Sequence, residues 1–244
     1  MERAIAEIND LKPDLVVCSG DLTTFGFKEE FAQAKRYLAT IECEAVVVVP
    51  GNHDSRNVGY VHFEQLIGER SSVLRRDGIT VVAVDSTEPD LDHGQIGRGR
   101  YGWIEEQFAA EESRLKVFVL HHHLLGAPWR AARKFPLSHR DHVLRTLASA
   151  GAELILGGHI HQATVGERRE FEVVGDAAAH ATVLAVAPGF GQPRPGRVGE
   201  ARGLHVHEVG DDALTVSTYV WRERSWTLTA ERRFPRRAAV LDAG

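Results

Sequence analysis

Residues 45–54 read AVVVVPGNHD: five small or β-branched apolar residues, then Pro50-Gly51, then three polar side chains. A short continuous apolar run closed by a turn signal describes a strand buried on both faces rather than an amphipathic helix. The same design occurs three more times. Leu15–Cys18 ends at Ser19-Gly20-Asp21, Val117–Leu120 runs into His121-His122-His123, and Glu153–Leu156 ends at Gly157-Gly158-His159-Ile160-His161.

Segments of helical character lie between these strands. Ala4, Ile5, Ile8 and Leu11 recur at three- to four-residue spacing before Pro13. Phe31, Ala34, Tyr37 and Leu38 line one face of a helix over 29–39. The pattern predicts further helices over 62–67, 103–112 and 141–149, the last opened by Ser138 or a nearby polar residue, and further strands over 72–74 and 79–84. The four glycines between Gly94 and Gly102 read as a loop. After residue 162 the texture becomes β-rich, with strands over 170–174, 181–187, 203–209 and 213–221. In the hairpin of the last two, Leu204, Val206 and Val209 face Leu214, Val216 and Thr218. The Gly- and Pro-rich stretch 189–202 reads as a loop. Strand–helix alternation followed by antiparallel strands implies a layered α/β fold with helices on the faces. No linker separates two cores, so residues 1–231 read as one domain and 232–244 as a tail.

Composition excludes several classes. The chain has 244 residues and a formal net charge of −5, so no electrostatic case exists for nucleic acid or an anionic membrane surface. Its apolar runs fall far short of the roughly 20 residues that a membrane helix requires. The opening MERAIAEIND holds no apolar segment of the secretory kind. Cys18 and Cys43 lie outside any CxxC pattern and read as reduced thiols, which points to a cytoplasmic protein.

The placement of the polar residues carries the functional reading. In open α/β sheets, ligands collect beyond the carboxyl ends of the strands. Asp21, Asn52-His53-Asp54, His121, His159 and His161 all stand at such ends, so they can meet at one crevice. Carboxylate, amide oxygen and imidazole together suit manganese, iron or zinc. Gly20, Gly51 and Gly158 permit the sharp turns and close backbone approach that bring these side chains over the strand tips.

GDLT (20–23), GNHD (51–54), the strand-terminal His121 and GHIH (158–161), in that order, resemble the calcineurin-like metallophosphoesterases. Within that family the chain is most similar to the class III cyclic-nucleotide phosphodiesterase-like branch. The likeness runs to about residue 222 and takes in GQIGRGRYGWIEEQF (94–108). It implies an α/β/β/α sandwich flanked by helices, and a divalent-metal hydrolase in which a metal-activated water attacks a small phosphoester, a cyclic nucleotide among the options. It further implies that Asp21 bridges two ions, that Asn52, His121 and His159 complete one site, and that His161 belongs to the other. His53 would serve the leaving-group oxygen, with Asp54 orienting it. Nucleases, phosphomonoesterases and pyrophosphatases of the superfamily share this chemistry; no long basic run supports a nuclease.

One motif departs from the family's pattern. None of the thirteen histidines has an Asp two positions before it, so the Asp-x-His that closes the family's first strand is absent. The opening helix corresponds to the one that follows that strand. The expectation is a sheet that lacks its first strand, in a natural chain starting upstream of Met1, the single methionine. The first metal site then keeps only Asp21 and His161, with His122 a further candidate donor. One or two ions remain open, as does a silent member that serves as a binding module. Arg130, Arg133 and Lys134 are candidate phosphate contacts and Trp129 a candidate stacking residue. His205 and His207 read as a surface or packed strand pair.

Overall fold

The computed structural model describes residues 1–125, 136–169, 181–191 and 202–236. Among them the elements run α1 (Glu2–Asn9), β1 (Val16–Cys18), α2 (Lys28–Leu38), β2 (Val46–Val48), α3 (Gly59–Leu66), β3 (Ser72–Arg76), β4 (Ile79–Ala83), α4 (Gly99–Ala109), β5 (Leu115–Val119), α5 (Arg140–Ser149), β6 (Leu154–Gly157), β7 (Thr164–Arg169), β8 (Ala181–Val186), β9 (Gly203–Val209), β10 (Ala213–Arg222) and β11 (Ser225–Pro235).

Three sheets result: β1-β2, β11-β10-β9 and β3-β4-β5-β6-β8-β7. In the six-stranded sheet β4, β5, β6 and β8 are parallel, and β3 and β7 close the edges antiparallel. Successive residues of a strand face opposite sides, so this sheet buries two faces. On one, Val82, Phe118, Leu120, Ile155 and Leu184 pack against Tyr101, Ile104 and Phe108 of α4 and Val143, Leu144 and Leu147 of α5. On the other, Val81, Val117, Val119, Leu154 and Val183 pack against Val47 and Val49 near β2, Leu214 and Val216 of β10 and Phe234 of β11. The molecule is thus sheet against sheet with helices outside, as the sequence predicts. β1 pairs in parallel with β2 and, among the described residues, with no other strand.

Several boundaries differ from the sequence reading. α4 begins at Gly99, inside the segment read as loop; Tyr101 is 9% exposed, and Ile104 and Phe108 fully buried, so the inward stripe extends the helix across Gly102. α5 starts after His139, with no side-chain cap, and the Ser138 N–H instead donates to the Gly94 carbonyl. In the late hairpin Val209 faces Leu214 as expected, but His207 stands opposite Val216 and Val206 opposite Ser217. β11 carries the chain to Pro235, four residues into the segment read as tail. β7 occupies 164–169, before the strand read over 170–174; residues 170–180, like Trp129, Arg130, Arg133, Lys134 and most of 189–202, lie outside the described residues. No described helix is long and apolar enough to cross a membrane. Both cysteines are free thiols.

Candidate metal centre

Four strand-end loops meet. β1 leads through Gly20 (φ +94°) to Asp21, β2 leads through Gly51 to Asn52, β5 leads to His121, and β6 leads through Gly158 to His159. Asp21, His159 and His161 all adopt left-handed backbone, with φ of 57°, 71° and 57°. Non-glycine residues in that region are uncommon and cluster where surrounding structure imposes them for function. The approach is also tight: a Cβ at Gly20 would come within 2.5 Å of the Gly51 nitrogen, and one at Gly51 within 2.2 Å of Asp21 Oδ1.

The amide oxygen of Asn52 is the atom on which the cluster converges. His121 Nε2 lies 3.1 Å and His159 Nδ1 3.0 Å from Asn52 Oδ1. His121 Nε2 is also 3.5 Å from Asp21 Oδ1, and His161 Nε2 is 3.8 Å from Asp21 Oδ2. Asn52 is fully buried, with His121 at 1% and His159 at 3% exposure, whereas the His161 side chain is 26% exposed. The cluster therefore has a dry floor and a wetter rim. Burial alone would raise the Asp21 carboxyl; the surrounding histidines, His121 first, outweigh it and hold the carboxyl well below the usual carboxylate range. Among the described residues no three His, Cys, Asp or Glu side chains form a metal-holding group by themselves.

The donor chemistry of this set fits a cation. His121 Nδ1 is 2.7 Å from the Ser19 carbonyl, an acceptor, so Nδ1 carries the hydrogen. Burial lowers the pKa of the ring and the Asp21 charge raises it. As a metal ligand the ring would be neutral, with its lone pair on Nε2 aimed at the Asn52 and Asp21 oxygens, and an electron-pair acceptor between them would satisfy all three. A metal-ligating histidine whose other nitrogen donates to a backbone carbonyl has the usual second-sphere arrangement.

The remaining predicted residues fall around this floor. The His53 backbone N–H donates to Asp21 Oδ1 at 3.0 Å, and its ring Nδ1 lies 2.8 Å from the Thr24 carbonyl. Asp54 is placed otherwise than expected: it does not hold the His53 ring. Its carboxylate is fully buried and accepts from the N–H of Gly51 (2.8 Å), Leu22 (3.1 Å) and Thr23 (2.9 Å) and from the Thr23 hydroxyl (2.9 Å). Asp54 thus ties the Asp21 loop to the Asn52 loop, while burial first and the Asp21 charge second push its pKa up to about 7. His122 is buried beneath the floor, its ring centre 5.1 Å from that of His121 and 4.8 Å from that of His159. Its Nδ1 bonds the Ser86 hydroxyl at 2.9 Å, and burial pushes its pKa down to about 3.

Sequence reading missed Asp92, whose Oδ1 accepts the Asn52 side-chain N–H at 2.8 Å. It lies forty residues away in a polar loop, where an acidic residue carries no signal. It also missed Ser19 and Thr24, which act through main-chain carbonyls and leave no mark in side-chain type.

Comparison with known proteins identifies the family of the chain. The chain is 25% identical over 216 residues to a probable cyclic nucleotide phosphodiesterase of Rhodococcus erythropolis, covering 84% of this chain and 69% of that one. It is 26% identical over 215 residues to a cAMP/cGMP dual specificity phosphodiesterase of Mycobacterium tuberculosis, covering 85% and 66%. It thus spans about two thirds of the length of these relatives. Among solved structures, PhoD superposes with a TM-score of 0.66 at 10% identity, covering all of this chain and 70% of that one. GAP50 of Plasmodium does so with a TM-score of 0.62 at 10% identity, covering 96% and 82%; both likenesses concern the fold alone. The family model described as calcineurin-like phosphoesterase matches residues 1–163, the stretch that ends just beyond the GHIH loop. The four loops that build the floor all lie within that match, and the chain belongs to the calcineurin-like phosphoesterase family.

Proposed function

We propose that this chain is a metal-dependent hydrolase of phosphodiesters, with cyclic nucleotides or similar small nucleotides as the substrate class. The observation that carries the reading is the convergence of Asp21, Asn52, His121 and His159 from four strand ends, with His121 Nε2 3.1 Å from Asn52 Oδ1 and 3.5 Å from Asp21 Oδ1. The names of the relatives support the substrate class. Asp21, Asn52, His121 and His159 would hold one divalent ion, with manganese, iron and zinc all suited to the set. Such an ion supplies a Lewis acid and a water acidic enough to attack phosphorus near neutral pH. Asp21 Oδ2 and His161 form the beginning of a second position on the wetter side.

His53 has a defined part. Its Nδ1–H is engaged by the Thr24 carbonyl, so the proton it can give to a leaving alkoxide sits on Nε2. The Thr24 bond also fixes the ring plane, and the His53 backbone bond to Asp21 ties that ring to the donor set. General acid catalysis of this kind contributes about 10²- to 10⁴-fold.

Turnover of 3′,5′-cyclic AMP and of bis(p-nitrophenyl) phosphate, with and without Mn²⁺, tests this. Asn52→Ala should remove the Mn²⁺-dependent rate on both substrates. His53→Ala should slow the cyclic nucleotide by about 10²-fold or more and the nitrophenyl ester far less, because nitrophenolate departs without a proton. Equal losses would refute the leaving-group role. A second reading has an observation of its own, the lack of an Asp-x-His to complete the position beside His161. If the chain binds Mn²⁺ and turns over neither substrate with excess metal, it is a binding module.

A further inference from the structure

We infer that Asp92 is a positioning residue that fixes which end of the Asn52 amide faces the histidines. The two ends of an asparagine amide are nearly isosteric, so hydrogen-bond partners alone decide its orientation. Asn52 Nδ2 donates to Asp92 Oδ1 at 2.8 Å, which leaves Oδ1 toward His121 and His159. The alternative is a competent competitor. With its Nδ1–H on the Ser19 carbonyl, the His121 ring can present a lone pair at Nε2, and a flipped amide would donate into it. The flipped state satisfies the protein without a cation and removes the oxygen donor from the set. Asp92 is what disfavours it, because a flipped amide would turn its carbonyl oxygen against a carboxylate.

Asp92 is itself held from two sides. Arg56 Nη2 donates to the same Oδ1 at 2.8 Å. The Asp92 main chain lies beside the buried His122 ring, and two residues on, Gly94 packs so closely on that ring that a Cβ would reach its Nδ1 at 2.1 Å. The Asp92 side chain is 57% exposed, so its carboxylate acts from the rim on a fully buried ligand residue. Outer-sphere partners of this kind typically contribute 10- to 100-fold in metal affinity.

The inference rests on Asn52 as a donor, and Co²⁺ titration of the full chain, followed by its visible absorption, separates the two claims. Asn52→Ala should weaken Co²⁺ binding; unchanged binding would defeat the donor reading itself. With that established, Asp92→Ala should weaken binding about tenfold and perturb the Co²⁺ spectrum, with the thermal midpoint of the metal-free protein little changed. Asp92→Asn, which keeps the shape and an acceptor, should lie between. In an Asn52→Asp background there is no amide to orient and two carboxylates face each other, so Asp92→Asn should there tighten binding. Affinity and spectrum unaltered by both Asp92 variants in the native background would overturn the inference. So would an equal loss in the two backgrounds, which marks a merely structural role.

Discussion

At the scale of single residues, the site depends on what is left out as much as on what is present. Gly51 does not have a positive φ; it is glycine because a Cβ would meet Asp21 Oδ1 at 2.2 Å and the Asp21 nitrogen at 2.3 Å. Gly51→Ala should cost about 1–3 kcal/mol of stability through backbone displacement and weaken metal binding, since Asp21 must move. Gly102 makes the control: a Cβ there meets nothing within 4 Å, and the residue sits inside α4. Gly102→Ala should therefore stabilise by about 0.5–1 kcal/mol. Thermal or urea unfolding of the pair checks both signs, and similar losses in the two would contradict the close-approach argument. That Asp21, Asn52, His121, His159 and His161 come together was legible because each follows an apolar run in an order that few sequences reproduce. The partners that orient them were not. A carbonyl belongs to every residue, and an aspartate in a polar loop is ordinary.

At the scale of elements, legibility followed burial. β5 and β6 are covered on both faces and read directly as apolar runs. β7 and β11 are edge strands with polar or exposed residues on both sides, so neither alternation nor a continuous run marks them. In the β9–β10 hairpin Val209 stands opposite Leu214 as the sequence predicts, but Val206 and Leu204 stand opposite Ser217 and Tyr219, and histidines take the places across from Val216 and Thr218. The true pairing sets His207 beside the buried Val216, with His205 Nδ1 3.1 Å from Thr218 Oγ1. Burial pushes the His207 pKa down from 6.5 to about 3, and His205, with ring centres 5.9 Å apart, adds to it. Between those two values the unfolded chain binds a proton that the fold excludes. Stability therefore rises with pH across this window and is lost as the pH falls through it. Urea unfolding at pH 7 and pH 5 should show the native chain losing about 1–2 kcal/mol more than His207→Leu. His205, also lowered by burial, should keep part of the slope in the variant. An identical loss in both proteins would place the acid sensitivity elsewhere.

At the scale of the whole molecule, the proposed donor set would join parts that backbone pairing leaves separate. Asp21 and Asn52 follow β1 and β2, which form a sheet of their own, while His121 and His159 follow β5 and β6 of the six-stranded sheet. β1 bonds β2 through the Val16 N–H on the Ala45 carbonyl and the Cys18 carbonyl from the Val49 N–H. The Val16 amide, held in this two-stranded ladder, should exchange with solvent by local opening, far faster than those of Val117 or Val119. An ion held by all four side chains would make opening of β1 break the site, so binding would oppose that opening in proportion to occupancy. At about a hundredfold excess over Kd the opening costs about 2.7 kcal/mol more, and exchange at Val16 slows by about a hundredfold. Local opening at β11 leaves the four donors intact, so its amides should not respond to the ion. Hydrogen exchange with and without Mn²⁺ therefore tells whether the centre connects the two sheets. Protection by the ion at β11 equal to that at Val16, or none at Val16 while the ion is bound, would show that it does not.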